Sequence, residues 1–439
     1  MRIANQQNGH HNVRTQNNAG LVPPGRFVRR GWRWRGALIG TLGICAACAV
    51  WAGAAQASSF EVIYSLGGDE DGEYTDTDLV IDPAGSLYGT SVQGGAFGGG
   101  TVFQLTPSGT GWTHTVLYSF TGGADGGEPY KGVTLDAHGN LYGTAVTGGS
   151  GVCEGGCGVA FKLTKSGTTW TQSVIHAFAG GNDGSGPGAG LAFDKEGNLY
   201  GMTATGGDFG LGVIYKLHQD QSGNWTESVI HSFTGGTDGS SGSAGRLISD
   251  QAGNLYGVAT TGGANGQGTA FELVRSQNGN LKFKTLYAFK GDPDAGFPYG
   301  ALVFDASGNL YGTTYYDGAN DLGAVYQLIP TGTGKWKEKV LYSFQGGNDG
   351  NSSIGNLVID GAGNLYGTTS EGGVGFGTIF KVTRNAAGKW IESVVHSFQS
   401  VPDGAFAYNG MVPDGLGNFF GATVHGGANN DGAIYKFTP

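Results

Sequence analysis

Gly363-Asn364-Leu365-Tyr366-Gly367-Thr368-Thr369 is one copy of a phrase that the chain repeats seven times. The other copies centre on Tyr88, Tyr142, Tyr200, Tyr256, Tyr311 and, in a worn form, Phe420. Consecutive centres lie 54 to 58 residues apart. A fixed period of this size marks a repeat architecture. Each unit is then one supersecondary element that hides its apolar face only against its neighbours.

Around the phrase, the unit reads as four short strands. Leu357-Val358-Ile359 is an apolar run that ends at Asp360. Gly361-Ala362-Gly363-Asn364 is a tight turn, because Gly and Asn tolerate the positive φ that hairpins need. Residues 365–369 form a second strand. Thr378-Ile379-Phe380-Lys381-Val382 alternates and is rich in β-branched and aromatic residues, a third strand. Residues 390–398 form a longer fourth. Nothing in the unit has a helical period. The aspartate before the first turn stands six residues ahead of the central aromatic in all seven copies, from Asp82 to Asp414. The pattern predicts an all-β fold: a seven-bladed β-propeller with four antiparallel strands per blade.

The phase of the repeat predicts how the ring closes. Ala433-Ile434-Tyr435-Lys436-Phe437 is a third-strand phrase with no fourth strand after it. Phe60-Glu61-Val62-Ile63-Tyr64-Ser65-Leu66 matches the fourth-strand phrase Val394-Val395-His396-Ser397-Phe398. The N-terminal strand is therefore expected to complete the last blade and remove two bare strand edges.

The phrases G-N-L-Y-G-T, G-T-x-F-K-L and V-L-Y-S-F-x-G-G-x-D-G resemble the GloVer tandem repeat of secreted and surface-anchored bacterial proteins. The resemblance covers about residues 60–439. It implies export and a propeller-like array, and it brings no established activity and no catalytic residues.

Residues 1–57 read as a leader outside the fold. Arg26, Arg29, Arg30, Arg33 and Arg35 precede a small apolar run over 37–52, and Ala55-Gln56-Ala57 is a small-x-small cleavage site. That order predicts a signal peptide cut after Ala57, leaving one propeller domain over 58–439 in the periplasm or outside the cell. An uncleaved N-terminal anchor is the lesser reading, since the run is short for a membrane span. The 88 glycines have no triplet period, which excludes collagen, and aromatics at 11% argue against a disordered chain. The net charge of −10, with no basic stripe after the leader, argues against nucleic-acid binding. No membrane insertion of the mature chain is expected, and the chain is expected to act as a monomer.

Several residue sets invite a chemical reading and have a structural one beside it. Asp71, Asp125, Asp183, Asp238, Asp294, Asp349 and Asp403 end the F-x-G-G-x-D-G loops. They suggest a calcium ring, with Asp69, Glu70 and Asp71 nearest to a ligand loop. An Asp before Gly also simply bonds its own turn. No other cofactor is expected. Trp112, Trp170, Trp225, Trp336 and Trp390 read as sugar-stacking platforms or as interblade packing. His176, His231 and His396 fill a position held by tyrosine in other copies, as half-buried strand residues do. Cys153 and Cys157 sit in the one lengthened loop, and in an exported chain they predict a local disulfide.

The functional lead comes from positions that vary between copies. These are the third and fifth residues after the loop aspartate: Tyr74 and Asp76, Glu128 and Tyr130, Phe297 and Tyr299, Phe406 and Tyr408. Blades 3 and 4 carry Gly and Ser there. Aromatics with acids at a channel mouth suit stacking on sugar rings and bonds to hydroxyls. The expected function is an exported binding or interaction scaffold for carbohydrate or an envelope protein. One alternative is a polysaccharide hydrolase or lyase using Glu128, Asp76, Tyr130 or Tyr408 as acid and base. Another is a purely structural surface protein.

Overall fold

The computed structural model describes residues 58–240, 245–332 and 334–439. The expected leader and cleavage site lie outside the described residues. The rest is a seven-bladed β-propeller, with each blade a four-stranded antiparallel sheet. Blade 1 runs from Val80–Ile81 to Gly111–Ser119 and blade 2 from Val133–Leu135 to Thr169–Ala177. Blade 3 runs from Ala192–Phe193 to Trp225–Ser232 and blade 4 from Ile248–Ser249 to Leu281–Ala288. Blade 5 runs from Val303–Phe304 to Trp336–Ser343 and blade 6 from Val358–Ile359 to Trp390–Ser397.

Blade 7 is built from both chain ends. Val412–Pro413, Phe419–Thr423 and Ala433–Thr438 supply three strands, and Ser59–Ser65 supplies the fourth. The register runs from Ser59 opposite Thr438 to Ser65 opposite Ala433. The closure expected from the repeat phase is the one observed.

The geometry explains why the central phrase recurs. In Asp360 one carboxylate oxygen accepts the backbone N–H groups of Ala362 and Asn364, at 2.9 Å each. The other accepts Asn364 Nδ2 at 2.7 Å and the Tyr366 hydroxyl at 3.4 Å. The six-residue spacing is thus set by one carboxylate that ties a turn to the tyrosine of the next strand. Tyr88, Tyr142, Tyr200, Tyr256 and Tyr311 repeat the bond at 3.0 to 3.2 Å.

The glycine after that tyrosine is required by a ring. Gly367 pairs across the sheet with Phe380, whose ring lies over it, so an added Cβ would stand 2.5 Å from Phe380 Cζ. Gly312 under Tyr326 and Gly421 under Tyr435 repeat the arrangement. A bulky ring over a bare backbone fills the sheet-to-sheet space without a void.

The tryptophans pack between blades. Trp170 of blade 2 meets Tyr88 of blade 1 edge-on with ring centres 6.4 Å apart, and Trp225 meets Tyr142 at 6.0 Å. Trp112 reaches back to Phe420 of blade 7 at 5.7 Å. Such rings add to the apolar clusters of Phe, Tyr, Leu and Val that hold one blade to the next.

Candidate ligand site at the channel mouth

The loops that enter each blade and those joining its second and third strands lie on one face. Short bridges pair them: Glu73 with Gln93, Gly127 with Thr147, Ser185 with Thr205, Ser240 with Thr261 and Asn351 with Glu371. The loop aspartates are occupied there. Tyr64, Tyr118, Tyr287 and Tyr342 donate hydroxyls to the aspartate seven residues on, at 2.6 to 3.0 Å. His231 and His396 make the same contact to Asp238 and Asp403 at 2.9 and 3.0 Å, and His176 sits 3.4 Å from Asp183. Among the described residues no group of three or more His, Cys, Asp or Glu side chains could hold a metal ion.

Among the described residues, the third residue after the loop aspartate is held in the left-handed region in blades 1, 2, 3, 5, 6 and 7. Tyr74 has φ 58°, Glu128 54°, Gly186 62°, Phe297 54°, Ser352 55° and Phe406 59°. The backbone demands it, because each of these residues fastens two blades. Glu128 N–H donates to Gly99 of blade 1, Phe297 N–H to Gln267 of blade 4, and Phe406 N–H to Phe376 of blade 6. In blades 1, 2, 3, 6 and 7 the carbonyl of this residue accepts from its own blade, as Glu128 does from Val146. With the main chain so used, the side chain is free to differ from blade to blade. A non-glycine residue in this region costs about 1–2 kcal/mol.

The eight sequence candidates separate into an outer and an inner set. In the outer set, Tyr74 and Phe406 flank His425 edge-on, at 4.9 and 5.8 Å between ring centres. Phe297 meets Tyr316, which meets Tyr315, on blade 5. Glu128 lies close enough to Tyr130 to raise the pKa of its hydroxyl, after burial and together with Asp76. The inner set, Asp76, Tyr130, Tyr299 and Tyr408, gathers about the channel axis around a residue that sequence reasoning missed.

That residue is Lys131. Its Nζ donates to Asp76 Oδ1 and to Asn409 Oδ1, both at 3.1 Å. Asn409 Nδ2 donates to Asp76 Oδ1 at 2.6 Å. The ammonium also stands 6.0 Å from the ring centre of Tyr299. One side chain thus links blades 1, 2 and 7 and faces blade 5. Burial opposes the charged form, but Asp76, Asp78 and Tyr299 outweigh it and hold the Lys131 pKa above its ordinary value. Burial, then Asp76 and Glu371, raises the pKa of Tyr408. The signal was present in the sequence. At the sixth position after the loop aspartate, where other copies have Thr77, Ala189, Gly300 or Gly355, only blades 2 and 7 carry a long polar side chain, Lys131 and Asn409.

Cys153 and Cys157 form the expected disulfide, with Cα atoms 5.1 Å apart. Cys157 is fully buried, and Cys153 Sγ lies 3.3 Å from Ser185 Oγ, so the long loop of blade 2 leans on the loop entering blade 3.

The repeat carries the identification, because the model of the Gloeobacter/Verrucomicrobia repeat matches residues 150–347 and 244–439. The chain belongs to the Gloeobacter/Verrucomicrobia repeat family. No curated protein matches it. Among solved structures, a Lactobacillus plantarum protein is 14% identical, with a TM-score of 0.51 over 77% of this chain and 88% of that one. A proposed 6-phosphogluconolactonase of Bacteroides uniformis is 15% identical, with a TM-score of 0.48 over 73% and 84%. A proposed glucose dehydrogenase of Thermus thermophilus is 13% identical, with a TM-score of 0.43 over 87% and 99%. At 14% identity the likeness to the Lactobacillus plantarum protein is one of fold alone. Among the described residues of this Gloeobacter/Verrucomicrobia repeat protein, no helix is long and apolar enough to cross a membrane.

Proposed function

We propose that this protein is an exported propeller that binds carbohydrate across the mouth of its channel. The observation that carries the reading is the Lys131–Asp76–Asn409 cluster with Tyr130, Tyr299 and Tyr408 around it. Tyrosine rings supply apolar faces for sugar C–H groups, and their hydroxyls bond at the rim. A lysine, a carboxylate and an amide supply both donors and acceptors for hydroxyls. Asp76 takes two donors on one oxygen, which leaves the second as an acceptor for ligand. Tyr74, Glu128, Phe297 and Phe406 form the outer edge of the same surface. The disulfide fits an oxidising compartment, as does the leader read from residues 1–57.

A glycan array on residues 58–439, followed by titration of the best ligand, tests the reading. Tyr130→Ala and Tyr408→Ala are each expected to weaken binding by about tenfold, the loss of one good stacking contact. Binding that survives both substitutions overturns the site. Turnover of a bound polysaccharide that Glu128→Gln abolishes would instead favour the hydrolase or lyase.

A further inference from the structure

Further along the channel, the first strands enclose a cavity of about 330 Å³. Asp78, Arg246 and Asn356 line it at the channel-mouth ends of blades 1, 4 and 6. Ile248, Phe304, Ile359 and Pro413 line it toward the turns of the opposite face. A few polar groups at one end of an apolar wall, at this volume, is the usual make-up of a small-molecule site.

Arg246 is the informative residue. Arg275 donates to Asp194 at 2.9 Å and pairs with Glu196 at 3.1 Å. Arg384 lies over the Trp390 ring at 4.6 Å. Arg246, half-buried in the cavity wall, has no ion pair, hydrogen bond or ring contact among the described residues. Its neighbours on the wall are already engaged. Asp78 Oδ1 accepts Asn356 Nδ2 at 3.0 Å, and Asp78 also lies in the field of Lys131. Asn356 Oδ1 accepts the Ala301 N–H at 2.5 Å. Arg246 is half-buried and has no anion beside it, so its charge is available to a ligand that supplies one. Its planar fork matches a carboxylate with two parallel bonds.

We propose that this cavity is a second ligand site, which takes a small organic monocarboxylate head-first. The carboxylate sits on Arg246, and the apolar body lies against Ile248 and Phe304. Asp78 on the same wall disfavours a second negative charge, so dicarboxylates are excluded. The site adjoins the carbohydrate surface through Asp78, which also acts on Lys131, but its probes carry no sugar, so either reading can fail without the other.

Calorimetric titration of the full domain tests it with hexanoate and phenylacetate against hexanamide and phenylacetamide. The carboxylates are expected to bind at least about tenfold more tightly than the amides, as a charge-assisted pair requires. Arg246→Gln should erase that preference without lowering the melting temperature. Ile248→Trp, which fills the cavity and leaves Arg246 in place, should abolish binding of both acids. If Arg246→Gln does not fold, Arg246→Lys keeps the charge, loses the fork and should bind more weakly than the parent. Equal affinity for acid and amide, undiminished binding in Arg246→Gln, or no binding of either carboxylate would each overturn the site.

Discussion

Glu338 on the fourth strand of blade 5 comes up against Asp294, the loop aspartate that accepts the hydroxyl of Tyr287 from blade 4. Two carboxyl groups thus meet at a blade interface. Burial, and then the neighbouring Asp294 carboxyl, push the pKa of Glu338 up to about 9. Glu392 beside Asp349 is raised to about 8, and Glu227 near Asp183 to about 7, again chiefly by burial. These three glutamates occupy one repeat position, opposite Leu328, Val382 and Leu217 of the third strands.

Neutral glutamates between the blades fix the sign of a pH dependence. A carboxyl whose folded pKa is raised contributes stability that is full below its ordinary value near 4.5 and is lost as pH climbs through about 7 to 9. Asp125, Asp136, Asp360 and Asp414 are shifted down by hydrogen bonds that outweigh their burial, so their contribution is lost only as pH falls through their lowered values. The melting temperature should therefore be higher near about pH 5 than near about pH 9. Glu338→Gln with Glu392→Gln should flatten that fall. Blade 2 already carries Gln172 at this position, bonded to the Asp125 carbonyl at 3.2 Å. A melting temperature that rises between those pH values would contradict neutral glutamates between the blades.

The ring over the central glycine makes a steric prediction. An alanine Cβ at Gly312 would stand 2.4 Å from Tyr326 Oη, with the ring carbons close behind. Tyr326 is fully buried and has nowhere to swing. Gly312→Ala should cost about 1–3 kcal/mol, the range for overpacking. Gly361→Ala, where nothing lies within 4 Å, is the control and should be close to neutral. Denaturant midpoints for the two variants decide it, and equal midpoints would reject the packing account.

The backbone clamp predicts a dependence on residue shape. Glu128 has φ 54°, which a β-branched side chain tolerates poorly. Glu128→Val should lower stability by about 1–2 kcal/mol, while Glu128→Gly should not, since blade 3 uses Gly186 in the same role. Chemical denaturation separates the two. A valine variant as stable as the glycine one would mean that the left-handed turn is not imposed by the two flanking blades.

What the sequence makes legible follows from what repeats. Tyr366, Asp360 and Asn364 recur because one carboxylate needs them all, so the spacing could be read as geometry before the bonds were seen. Closure by Ser59–Ser65 was legible for the same reason. The left-handed clamp was not, because Tyr74, Phe297 and Phe406 are not residues that advertise a positive φ. Lys131 is hard to read in the sequence because its neighbour Tyr130 already has the look of a ligand residue. Arg246 could not be placed at all, since the cavity exists only once the first strands of five blades stand around one axis.

Lys131 supplies the sharpest test of how the mouth is held together. It and Asp76 are mostly buried, with side chains 10% and 15% exposed. Lys131→Met would leave Asp76 facing Asn409 and Asp78 with no cation between them. Removing one partner of a buried pair costs about 3–5 kcal/mol, and the residual exposure here puts the expected loss toward the lower end or somewhat below. Asp76→Asn in the same chain removes the stranded charge and should recover much of that loss, so the double variant should be more stable than Lys131→Met alone. Guanidinium unfolding of the three variants reads the coupling directly. If the two losses simply add, the ion pair does not organise the channel mouth, and Lys131 is held there by packing alone.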